Sequence, residues 1–175
     1  VEIADQRYTK SNLQFLNSSF SSFKPSGLKF DTITFFGSLD YIKIDSRFFQ
    51  ALSRLAANNA VCFISKFHPL WTTLFNNEIG DIKNDSYFTN GRRDKVVYGQ
   101  ENKYMFERYH YTVDYLLESF SKKSWLLDSL REPRPNIRDS AFKYTNYSQD
   151  PVLMERLLKY PMTMTLKFIY RGETE

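Results

Sequence analysis

The side chains of this chain that could do chemistry are few: one cysteine, Cys62, and two histidines, His68 and His110. A cysteine and a histidine can act as nucleophile and base when the imidazole takes the thiol proton. Cys62, however, stands among Ala60, Val61, Phe63 and Ile64, an apolar setting that raises a thiol pKa and hides the sulfur. The expected role of Cys62 is packing. A zinc site would have to recruit carboxylates, because no compact cysteine or histidine ligand spacing occurs. The six glycines never cluster into a phosphate loop or a dinucleotide fingerprint. The sequence therefore predicts no catalytic, cofactor-binding or metal-ligating residue. Were the chain an enzyme, Glu107, His110 or Asp114 would be its acid or base.

Binding is the alternative to catalysis, and two stretches carry residues suited to it. Arg131, Arg134, Arg138, Lys143, Tyr144 and Tyr147 gather guanidinium groups and phenols in one connecting segment, the types enriched at protein interfaces. Alternation in 104–111 sets Tyr104, Phe106, Arg108 and His110 on one strand face and Met105, Glu107, Tyr109 and Tyr111 on the other. The first face, through Tyr104, Arg108 and His110, is a polar aromatic platform for a partner. Arginine and tyrosine also meet phosphates and bases. The formal charge is only +4, from 24 basic against 20 acidic residues, with no concentrated basic run. These features predict a non-catalytic protein–protein interaction domain of a larger assembly, with another protein as partner. The alternative is a nucleic-acid-binding domain that uses the Arg/Tyr-rich loop and the aromatic strand on RNA or DNA.

A chain of 175 residues with sixteen Phe and twelve Tyr has enough large apolar side chains for one ordinary core. The reading is one globular domain over 1–175, excised from a longer protein. No apolar stretch approaches the length of a bilayer span, so membrane insertion is not expected. A single cysteine forbids internal disulfides and points to the cytoplasm or nucleus. The residues Leu39–Phe49 resemble the strand-to-helix segment of cyclic-di-GMP phosphodiesterase EAL domains. That family's Glu-Ala-Leu signature and paired-Asp metal motif do not precede the segment here, so the resemblance implies only a strand and a capped helix.

The elements that must position these groups follow from periodicity and punctuation. Residues 8–23 have helical apolar spacing through Leu13, Leu16, Phe20 and Phe23. Leu28–Phe36 alternates as a strand closed by Gly37, and Tyr41–Ile44 is a short second strand. Asp45 or Ser46 caps a helix over Arg47–Ala57, and Ala60–Lys66 is a buried central strand. Pro69 starts a short helix to Phe75. Arg93–Tyr98 and Lys103–Tyr111 form an antiparallel hairpin, and Thr112–Leu130 is helical with a break near Ser124. Asp150-Pro151 opens a helix ended by Pro161, and Met162–Tyr170 is a final strand. The fold class is α+β (mixed α/β): one layered domain with a mixed sheet of five to six strands, helices packed on it, and a crossover unit between 28 and 66.

Overall fold

A computed structural model describes residues 13–24, 27–75, 87–98, 104–136 and 150–172, with side chains placed outside Phe75, 92–98 and 104–106. In chain order the elements are β1 (Phe30–Phe36), a 3-10 turn (Leu39–Tyr41), α1 (Ser46–Leu55), β2 (Ala56–Phe67) and α2 (Pro69–Phe75). They continue as β3 (Gly91–Tyr98), β4 (Tyr104–His110), α3 (Val113–Ser121), β5 (Trp125–Arg131), α4 (Pro151–Lys159) and β6 (Thr163–Tyr170). One sheet has the order β1-β2-β6-β5, and β3 and β4 pair separately. The mixed α/β architecture is as expected, but the hairpin forms its own ribbon, so the main sheet has four strands among the described residues rather than five or six.

The crossover unit is present. β1 and β2 are parallel, joined through α1, with Phe35 opposite Ile64. β6 runs antiparallel to β2 on one side and to β5 on the other. β1, β2 and β5 therefore point the same way, and their carboxyl ends share one edge. The Asp45 carboxylate caps α1 by accepting from the amides of Arg47 and Phe48 at 3.0 and 3.1 Å. Asp150 does the same for α4, and Pro151 occupies a first-turn position where a missing N–H costs nothing.

Three expectations are corrected. Residues 13–23 are not helical: the serines from Ser18 to Ser22 bond one another and local carbonyls, the competition that makes serine a poor interior helix residue. Residues 8–12 lie outside the described segments. Tyr41–Ile44 is no strand, because the chain turns tightly at Leu39–Tyr41 instead. The helix over 112–130 stops at Ser121. Ser124 then takes a left-handed φ of 60°, and Trp125–Arg131 pairs with β6. Leucine spacing there mimicked a helix, and tertiary pairing overrode it.

The core lies between one face of the sheet and the helices α1 and α3. Phe48 and Phe49 of α1 meet Phe120 of α3, whose ring stacks on Phe168 of β6 at 4.3 Å. Cys62 is wholly buried beneath them, and burial pushes its thiol pKa up to about 12. Among the described residues no helix is long and apolar enough to cross a membrane.

Candidate functional site

In open α/β sheets ligands gather at the carboxyl ends of parallel strands, where the loops diverge and backbone groups are free. In this chain that edge holds most of the buried polar side chains. The turn after β1 begins at Gly37, whose φ of 65° suits glycine and whose amide donates to the Ser65 carbonyl at 2.8 Å. It carries Asp40 back over the end of β2, where its carboxylate meets the Lys66 ammonium at 2.8 Å with both side chains buried. Asp40 also accepts from the Phe67 amide at 3.4 Å, so the pair fixes the turn to the strand.

Both histidines lie at this edge with their ring nitrogens engaged. His68 Nδ1 accepts from the Leu70 amide at 3.1 Å, which places the proton on Nε2, 2.9 Å from Glu132 at the end of β5. Burial holds this imidazole below its ordinary pKa, with the Glu132 carboxylate pulling the other way. His110 Nε2 donates to the Tyr87 carbonyl at 2.9 Å, and its Nδ1 lies 3.4 Å from the Thr72 hydroxyl. At 5% exposure His110 forms no part of an outer platform.

Beside this edge a cavity of about 350 Å³ opens between the post-β1 turn and the hairpin, lined by Lys43, Ile44, Asn90, Gly91, Tyr109, Tyr111 and Tyr115. Its wall is a ladder of three phenols. Tyr109 and Tyr111 lie 6.2 Å apart and 8° from parallel, and Tyr111 and Tyr115 lie 5.2 Å apart and 14° from parallel. The Tyr111 hydroxyl accepts from the Ile44 amide at 2.9 Å, and burial pushes its pKa up to about 12. The Tyr115 hydroxyl donates to the Ile44 carbonyl at 3.5 Å, so the two inner rings clamp the turn and leave Tyr109 as the outer rung. Asn90 accepts from the Thr112 amide at 2.8 Å, tying the start of the hairpin to the cap of α3.

Of the sequence-singled residues, Arg131 is exposed at the last position of β5, Arg134 is exposed beyond that strand, and Arg108 is half-buried. Arg134 lines a second depression of about 210 Å³ with Pro133 and Tyr160. Arg138, Lys143, Tyr144 and Tyr147 lie outside the described residues, as does the side chain of Tyr104. Glu107 and Asp114 are exposed and do not line the cavity. The structure brings together Tyr109, Tyr111, Tyr115, Lys43 and Asn90, which sequence reasoning did not choose. Their one signal was the alternation in 104–111, whose other face carries Tyr109 and Tyr111.

No protein-family model matches this chain, and no curated protein matches its sequence. Its fold matches solved structures. A Listeria monocytogenes protein described as an S-adenosylmethionine-dependent methyltransferase superposes with a TM-score of 0.69 at 15% identity, covering 95% of this chain and 73% of that one. An S-adenosylmethionine-dependent methyltransferase of Mesorhizobium loti gives 0.64 at 16% identity with the same coverages. A third, the 1,6-didemethyltoxoflavin-N1-methyltransferase of Burkholderia thailandensis, gives 0.50 at 13% identity over 97% of this chain and 55% of its own length. This likeness overturns the reading as a non-catalytic protein-interaction domain, and the nucleic-acid alternative with it. That reading took the absence of catalytic side chains as absence of catalysis, an inference that fails where a cofactor carries the reactive group.

The described residues do not make a cradle for an adenosyl cofactor. The glycines are scattered, with Gly37 alone at the end of β1, and the carboxylate at that turn, Asp40, is taken by Lys66 and the Phe67 amide.

Proposed function

We propose that this chain is the acceptor-binding part of an S-adenosylmethionine-dependent methyltransferase, with the acceptor held in the tyrosine-lined cavity. The observation that carries this reading is the fold, shared with methyltransferases over 95% of the chain. The cavity supports it by position, since it opens beside the edge where sheets of this kind take ligands. When bound, the cofactor supplies the reactive methyl group, so the protein's share of the work is to hold the acceptor in line and keep water away. The Tyr109 face offers a flat surface for a planar acceptor, and the exposed Lys43 ammonium favours one with an acidic substituent. Neither histidine presents an unengaged nitrogen, which favours an acceptor already nucleophilic at neutral pH. The lone buried Cys62 supports a protein of the cell interior, cytoplasmic or nuclear.

The experiment is label transfer. The protein isolated from its own cells is incubated with methyl-labelled S-adenosylmethionine and small-molecule, protein and nucleic-acid fractions of the same cells. Label is expected in a small molecule. Label in no fraction, with the cofactor measurably bound, would contradict the reading.

A further inference from the structure

The polar groups that line the tyrosine cavity can be sorted by what their partners leave over. A phenol has one hydrogen to donate and an oxygen that accepts. At Tyr111, 2% exposed, the oxygen accepts from the Ile44 amide at 2.9 Å, and the hydrogen has no acceptor among the described residues. Burial pushes this pKa up to about 12, so the hydrogen stays in place at neutral pH. Accepting from an amide also polarises the O–H and strengthens it as a donor. Tyr115 differs, because its hydroxyl donates to the Ile44 carbonyl at 3.5 Å. Asn90 has its Oδ1 taken by the Thr112 amide at 2.8 Å, whereas its Nδ2 makes one long bond, 3.4 Å to the Phe88 carbonyl, and keeps a second N–H. Lys43 adds an exposed ammonium, 4.0 Å from an Asp45 carboxylate that already caps α1. Tyr111, Asn90 and Lys43 therefore all present hydrogen to a ligand, in a cavity that also carries the Tyr109 ring.

We propose that the cavity is an oxyanion site: it takes a planar conjugated ring bearing a deprotonated oxygen, an aryl carboxylate or phenolate, whose oxygen accepts from the Tyr111 hydroxyl. Asn90 and Lys43 supply a further donor and a positive potential, and the ring lies on the Tyr109 face. A hydrogen bond to an ionised acceptor is shorter and roughly twice as strong as one between neutral groups. The site therefore prefers the anion over the neutral acid of the same shape. A cationic ligand is disfavoured, since it brings hydrogen where hydrogen is already offered and meets the Lys43 charge. This class rests on the reading of the cavity as the place of the methyl acceptor, which it narrows to an oxyanion. It makes Tyr111 a specificity-determining residue in addition to its hold on the Ile44 turn.

The probe is 4-nitrophenol, whose acid and anion share one shape, differ in colour and interconvert near neutral pH. Spectroscopic titration with the protein as its own cells make it, at fixed ionic strength, gives the pKa of the bound probe. That pKa is expected at least about one unit below the free value, the anion binding about tenfold more tightly than the acid. Tyr111→Phe should weaken binding of the anion about tenfold and of the acid less than about threefold. A cavity merely loosened by the substitution would bind both forms more weakly to the same extent, and that result would overturn the role of Tyr111. Lys43→Met changes an exposed side chain and keeps the test decisive should Tyr111→Phe not fold; it should remove about half of the pKa shift. No binding, a bound pKa at or above the free one, or a shift that both variants leave unchanged overturns the proposal. Label transfer fails or succeeds separately. A lowered bound pKa in a protein that transfers no label supports the oxyanion site and contradicts the methyltransferase reading, whereas label transfer with an unshifted probe does the reverse.

Discussion

Tyr111 illustrates how a side chain at the cavity serves structure and site at once. Its hydroxyl satisfies the buried Ile44 amide, so Tyr111→Phe strands that N–H and should cost about 1–3 kcal/mol, read from urea midpoints. Its phenol also sets a pH limit. The folded pKa is raised from 10.0 to about 12, so its contribution is complete below pH 10 and is lost as pH rises towards 12. Stability should fall in that alkaline window, and less steeply in Tyr111→Phe. Asp40 and Lys66 form the other tight constraint at this edge. Asp40→Ala leaves a buried ammonium without its partner and should cost about 3–5 kcal/mol, whereas adding Lys66→Met should recover most of that loss. A double-mutant cycle by chemical denaturation measures both. None of these roles was legible in the sequence, because a tyrosine or lysine in a strand-length segment looks the same whether it packs, pairs or faces solvent.

At the scale of elements, punctuation was the reliable signal. Asp45, Asp150-Pro151 and Pro69 marked helix starts that the structure places within a residue of expectation, since caps and prolines act through local backbone bonds. Periodicity misled where local and tertiary preferences competed. Leu126, Leu127 and Leu130 continue a helical spacing, yet they belong to β5, and the boundary is the left-handed Ser124. Glycine adopts that conformation without a Cβ penalty, so Ser124→Gly should stabilise the protein by about 0.5–1 kcal/mol, seen as a raised thermal midpoint. The hairpin β3–β4 was legible from its two runs, but not its departure from the main sheet.

For the whole molecule, mixed α/β class and the parallel crossover were readable from strand–helix–strand order, while function was not. Methyl transfer asks little of side-chain type: the reactive group arrives with the cofactor, and the protein supplies shape, dryness and alignment. Such a site leaves no motif of nucleophile and base, and here the chain also lacks the glycine-rich turn that would have announced a nucleotide. The proposal of methyl transfer rests on the fold, and it is the proposal that gives the acceptor a place on the tyrosine ladder. The most direct test is the rate of label transfer against acceptor concentration for the wild-type protein and Tyr109→Ala, which removes the outer rung and leaves in place both hydroxyl bonds to Ile44. The account predicts about a tenfold rise in acceptor KM, the loss of one stacking contact of about 1.4 kcal/mol, with kcat changed less than about twofold. An unchanged KM would place the acceptor elsewhere and contradict it.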